Sequence, residues 1–240
     1  MRHLIFFFLL TGFLWSCTKK DNSTLNGVCN SSCTTIQGRF LTGTNEPIIG
    51  LSLKVRSEIR PTLGLGQTAI REIASGKTDN NGNYTFTFSL NPEEYGRSNA
   101  YLFLSITYDK TKFLSIPWYD LFGSDEIIPI KKKRDTIVIM DYYLASKAQL
   151  RLQLNNFTPL SSADSFYILP VYQDVGYKKE KATQPQFFVA IQPTNEKVIE
   201  IAGNQQNKIS VVRIKSGIRI VRDTLIFTPT NQTTILSINY

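Results

Sequence analysis

The chain has 240 residues, with 27 Lys and Arg against 19 Asp and Glu for a formal net charge of +8, and 42% of its residues are hydrophobic. That length suits one large β-sandwich or two domains of ordinary size. The single histidine, His3, falls in a leader-like segment, and the cysteines beyond it are Cys17, Cys29 and Cys33. A mature chain without histidine excludes Ser-His-Asp and Cys-His nucleophile activation, and two cysteines beyond Cys17 exclude the usual four-ligand zinc sites.

The chain opens MRHLIFFFLLTGFLWSC, with Arg2 and His3 ahead of an apolar run from Leu4 to Phe13 and Ser16 before Cys17. A basic start, a short apolar run and a small residue before a cut site describe a signal peptide over 1–16, too short for a bilayer that needs about 20 helical residues. Its ending resembles a bacterial lipoprotein lipobox, which implies that Cys17 becomes the lipidated first residue; a plain secretion signal or a buried apolar N-terminus is the alternative. Acyl chains contribute about 0.8 kcal/mol per buried methylene, so a lipidated Cys17 holds the protein on a membrane. The expected place is exported and lipid-anchored at the outer membrane, on its surface or periplasmic face.

Residues 17–34 have little apolar content and no periodicity, and read as a flexible tether. Within it Cys29 and Cys33 stand in CNSSC. In an oxidising compartment a local disulfide is expected there; the alternative is a redox pair, but the flanking Asn and Ser residues offer nothing that lowers a thiol pKa.

Period-two alternation dominates the rest. Leu51, Leu53 and Val55, then Tyr84, Phe86, Phe88 and Leu90, then Leu150, Leu152 and Leu154 each alternate with polar residues, as strands with one face in a core do. Further strands are expected over 35–41, 70–76, 101–108, 135–140, 166–172, 187–191, 197–202, 208–215, 218–227 and 234–240. Asn91, Pro92, Glu93 and Glu94 read as a single helical turn with a cap, a proline at the first position and early acids. The reading is all-β: two antiparallel β-sandwich domains over 35–145 and 146–240, divided at DYYLASKAQL (141–150), with one large sandwich as the rival. RDTIVIM (134–140) and RDTLIF (222–227) form a short internal echo across that division.

The first half also carries a family pattern. Gly38, then Pro47 and Gly50, then Val55, then Thr78, Asp79, Gly82, Tyr84 and Phe86 resemble the carboxypeptidase regulatory-like domain of exported proteins from Bacteroidetes-type bacteria. The resemblance covers about residues 35–90, implies a transthyretin-like sandwich, and implies an accessory or spacing module in place of a catalyst. The chain departs from the pattern by inserting RPTLGLGQTAI (60–70). DNNGN at 79–83 differs from a calcium loop because Gly82 falls between Asn81 and Asn83, so the expected role is a hairpin turn built on Asp79 and Gly82.

Three function classes follow. The first is a non-enzymatic, membrane-anchored binding or accessory module of the cell envelope, with glycan or an envelope protein as ligand. The second is a fimbria-like structural subunit assembling by strand exchange, because such subunits are also two-domain lipoproteins of this kind and TTILSINY ends the chain as an apolar strand. The third is a carboxylate-dependent glycan-active enzyme using Asp120, Asp125 and Glu126. Trp118, Tyr119 and Asp120 in PWYDLFGSDE are the candidate ligand contacts, although aromatics in such loops also cover core edges. No cofactor is expected. Eleven basic and six acidic residues fall in 146–240, a charge that suits an anionic envelope component or simply solvated strand faces. Nucleic acid is not expected, since the basic runs lack interleaved aromatics.

Overall fold

The computed structural model describes residues 29, 31–62, 67–114, 126–156, 164–177, 180–183, 186–189 and 196–239, with backbone only at 126–127, 174, 180–183 and 186–189. In chain order the first half carries β1 (Cys33–Thr42), β2 (Ser52–Ile59), β3 (Ala69–Lys77), β4 (Asn83–Ser89), α1 (Pro92–Gly96), β5 (Ala100–Thr107), β6 (Glu126–Ile130), β7 (Thr136–Ile139) and β8 (Tyr142–Leu144). The second carries β9 (Lys147–Asn155), β10 (Ser165–Tyr177), β11 (Glu180–Thr183), β12 (Gln186–Val189), β13 (Glu196–Ala202), β14 (Gln205–Lys215), β15 (Ile218–Thr228) and β16 (Thr233–Asn239). Among the described residues the chain is all-β apart from one short helix.

Alternation decides which face each strand buries. Tyr84, Phe86 and Phe88 of β4 point inward with Ile36 and Phe40 of β1, while Thr85 and Thr87 stay on the outer face. Opposite them, Leu53 and Val55 of β2 and Leu102, Leu104 and Ile106 of β5 close the first core. A second core gathers Leu150, Leu152 and Leu154 of β9 with Phe166 and Ile168 of β10, Ile199 and Ile201 of β13, and Ile209 and Val211 of β14.

One sheet runs through both halves in the order β15-β14-β10-β8-β1-β4, with β7 also on β1 and β11 and β12 on β10. Its seam is β8, parallel to β1 and antiparallel to β10 at Tyr143↔Gly176. The sheets β3-β2-β5-β6 and β13-β9-β16 cover the first and second core respectively. Most pairings are antiparallel; β1–β7, β1–β8 and β9–β16 are parallel.

The short elements follow from local chemistry. At α1, Glu94 Oε2 accepts a hydrogen bond from the Asn91 N–H at 2.8 Å, the returning arm of a capping box, and Pro92 takes the first helical position. Between β3 and β4, Asp79 Oδ1 accepts from the N–H groups of Asn81 (2.8 Å) and Asn83 (2.7 Å), while Gly82 supplies φ of +73°. That turn feeds the aromatic strand β4 into the core. Ser216 and Gly217, both at positive φ, close the two-residue hairpin between β14 and β15, the geometry that matches strand twist.

Candidate functional site: an open strand edge

Of the residues singled out from the sequence, Cys17, Trp118, Tyr119, Asp120 and Asp125 lie outside the described residues, and Glu126 contributes only backbone to β6. Cys29 and Cys33 are joined by a disulfide with a Cα–Cα separation of 5.6 Å, immediately before the buried Thr34, whose hydroxyl donates to the Lys133 carbonyl at 2.6 Å. The bridge therefore sits where the tether enters β1. Asp79 spends its oxygens on the turn, since Oδ2 accepts from Asn83 Nδ2 at 3.0 Å, and these bonds from Asn83 hold its carboxyl below the usual range. No group of three His, Cys, Asp or Glu that could hold a metal occurs among the described residues. A stacked aromatic pair, Tyr101 on Phe103, stands on the outer face of β5, but the Arg60 guanidinium lies 4.5 Å over the Tyr101 ring and takes that surface.

The sheet edges distinguish themselves more sharply. An unpaired strand edge is a template for another chain, and proteins blunt such edges with proline, charge, bulges or shortness. Edge strand β6 has five residues, including Pro129, and runs into Lys131, Lys132 and Lys133. Beside it β7 has only four residues. The β3 edge carries Arg71, Glu72 and Lys77 and a bulge at Val55/Arg56 of its β2 pairing. On β13 stand Glu196, Lys197 and Glu200. Across the corner of the first sandwich, β4 packs on β3.

Strand β16 lacks all of these devices, and β15, although it carries Arg219, Arg222 and Asp223, is long and unbulged. The eleven residues of β15 contain no proline, and its apolar side chains stand in water on both faces. Toward the core side, Ile218 is 66% and Ile220 43% exposed; on the outer side Val221, Leu225 and Phe227 are exposed as well. The seven residues of β16 are uncharged, with Leu236 and Ile238 packed only partly on the second core and Ile235 exposed. Each strand pairs on one side only among the described residues, β15 with β14 and β16 with β9.

The two open edges flank a groove of about 420 Å³ lined by Val211, Arg213, Arg222, Thr224, Leu236 and Ile238. Of its lining, Val211, Leu236 and Ile238 belong to the second core, and the rest is polar. Its charge is cationic: Arg213 Nη1 donates to the Asn239 carbonyl at 2.5 Å. On the outer face Asp223 accepts from Lys208 Nζ at 2.7 Å and Ser210 Oγ at 2.6 Å, which hold its carboxyl below the usual range. A second groove, of about 440 Å³, opens between β6 and β7 over Ile128, Ile130, Val138 and Met140, and it is the one whose rims are blunted. The C-terminal strand that the sequence offered for exchange is thus seated beside β9, and what lies open is its outer edge together with β15.

No protein-family model matches the chain, and no curated protein does. Similar solved structures include the Bacillus anthracis TIE protein, at 9% identity and a TM-score of 0.31, covering 87% of this chain and 34% of that one. They also include the shaft pilin SpaA from Lactobacillus rhamnosus GG, at 8% identity and a TM-score of 0.30, covering 87% and 97%. The tip fimbrial protein Mfa3 from Porphyromonas gingivalis, with a C-terminal truncation, matches at 12% identity and a TM-score of 0.26, covering 82% and 81%. The chain spans about a third of the TIE protein and 63% of a streptococcal ancillary pilin. At these scores and identities the likenesses carry no conclusion about activity or assembly, and the all-β description rests on the strands themselves.

Proposed function

We propose that this chain is a non-enzymatic structural subunit of an exported cell-envelope assembly, lipid-anchored through Cys17, that joins its neighbours by main-chain pairing along the β15–β16 edge. The carrying observation is the contrast between edges: β15 presents eleven residues without proline or bulge, with Ile218 and Ile220 exposed on the core side, whereas β6 has five residues, carries Pro129 and runs into three lysines. A long open edge with exposed apolar side chains is an association hazard in a monomer and a joining surface in an assembly. The carboxypeptidase regulatory-like resemblance belongs to the same proposal. It is supported by the Asp79–Gly82 turn and by the burial of Tyr84, Phe86 and Phe88, and it implies a spacing role for the first sandwich.

The test is photo-crosslinking in intact cells from a reactive side chain at Ile220, compared with one at Ile137, which is more exposed (64% against 43%) but lies on a short edge strand. Adducts of higher mass from Ile220 alone support the proposal. Equal yields, or none from Ile220, overturn it.

A further inference from the structure

Strand addition on the open edge of β15 needs a strand from outside it. We infer that a second copy of this chain supplies it, with β15 of the two copies pairing antiparallel about a two-fold axis through Val221; this rests on the strand-addition reading.

Joining two identical edges into one sheet fixes the geometry. The cores of both copies must lie on the same side of the joined sheet, so core-side residues face core-side residues and the axis passes through a residue paired with its own copy. Core-side positions on β15 are those opposite Ile209, Val211 and Arg213 of β14, namely Thr224, Arg222 and Ile220; Arg219, Val221 and Asp223 lie on the outer side. An axis through Val221 sets Arg219 opposite the partner's Asp223, and Asp223 opposite the partner's Arg219. Two cross-strand ion pairs thus form from one register.

Neighbouring registers lack this match. An axis through Arg222 places two guanidinium groups directly opposite each other, and one through Asp223 does the same with two carboxylates, arrangements that destabilise a strand pair. With the axis at Ile220, Arg219 meets Val221 and gains no charge partner. Asp223 has capacity to take part, because a carboxylate has about four acceptor positions and it accepts here from Lys208 and Ser210. Arg219 holds one long hydrogen bond, to the Tyr167 hydroxyl at 3.4 Å. The pairing also covers Ile218, Ile220 and Val221, and leaves the two grooves on the same side of one continuous sheet.

The register is testable on the full chain. Residues directly opposite in an antiparallel pair have Cα atoms about 4.5–5.5 Å apart, within the span of a disulfide. Val221→Cys should form a covalent dimer under mild oxidation at least about tenfold faster than Leu225→Cys, since pairing holds the first two thiols together. Arg219→Asp and Asp223→Arg should each weaken the dimer about tenfold, since every change counts twice across the axis, and the double substitution should restore it. A chain that sediments as a monomer at all concentrations, or a Val221→Cys variant that crosslinks no faster than Leu225→Cys, overturns the inference. Should that happen while Ile220 still crosslinks to other proteins in cells, self-pairing fails and strand addition stands; if Ile220 gives no adduct either, both fall.

Discussion

The Tyr84 hydroxyl donates a 2.9 Å hydrogen bond to the Met140 carbonyl, inside the first core where β7 ends and β8 begins. Tyr84 comes from the turn-fed strand β4, and Met140 from the bend that lets one stretch of chain run beside β1 twice. The bond therefore fixes the seam on which the shared sheet is built. Tyr84→Phe removes the donor and leaves a buried acceptor, a loss of about 1–3 kcal/mol readable in urea unfolding.

The same residue gives a pH signature. Burial, with the Asp141 charge second, pushes the Tyr84 pKa well above its ordinary value of about 10. A folded pKa raised above the unfolded one gives stability that is fully present below about pH 10 and is lost as pH climbs above it. The wild-type chain should therefore lose stability above that pH more steeply than Tyr84→Phe, as paired thermal melts would show.

Gly38 sits directly under the same bend. A Cβ there would run into the Met140 carbonyl, which is backbone and cannot step aside. Gly38→Ala should then disrupt the β7–β8 seam, whereas Gly96→Ala, whose added carbon meets nothing within 4 Å, should leave the fold intact. Near-ultraviolet circular dichroism of the two variants, reporting on the Phe40–Tyr84–Tyr142 cluster, checks the contrast.

Much of this first core was legible in the sequence, and the reason is one-sidedness. Tyr84, Phe86 and Phe88 alternate cleanly because β4 faces a core on one side and water on the other. The strand β8 was missed because all three of its residues are buried, so no alternation marks it. No strand was expected over 126–130, where Pro129 removes a ladder donor, and β6 tolerates it as an edge strand. Neither the shared sheet nor the parallel pairings could be read, since period two reports which face a residue takes and says nothing of its neighbour. The open edge left one trace, the apolar residues on both faces of 218–228, which pass equally well for a strand buried on both sides.

Arg71 and Glu94 form the ion pair that ties β3 to α1, with Nε–Oε1 at 2.6 Å and Nη2–Oε2 at 2.5 Å, and Glu94 is only 4% exposed. Burial opposes the Glu94 charge, but the Arg71 guanidinium and the Asn91 N–H outweigh it and hold the pKa below the usual carboxylate range. A depressed folded pKa gives stability present above about pH 4.3 and lost as pH falls through the folded value. Glu94→Gln should cost about 1–3 kcal/mol at neutral pH and flatten the acid limb of the stability profile, measured by urea titration across that range.

The Cys29–Cys33 bridge closes a small ring, so its contribution is modest. Reduction should lower stability by about 2 kcal/mol on the chain-entropy estimate, without unfolding the second core. Comparing melts of oxidised protein with a Cys29→Ser, Cys33→Ser double variant measures it directly.

Amide hydrogen exchange along residues 218–228, in protein recovered from its native envelope, tests the central claim most directly. Among the described residues only the β15 amides that face β14 have a strand partner within one chain. Strand addition should slow the amides on the outer edge to rates like those of their β14-facing neighbours, and Ile218→Lys with Ile220→Lys should release them. Outer-edge amides that exchange as freely in envelope-recovered protein as in the variant, while the β14-facing ones stay protected, would contradict the account.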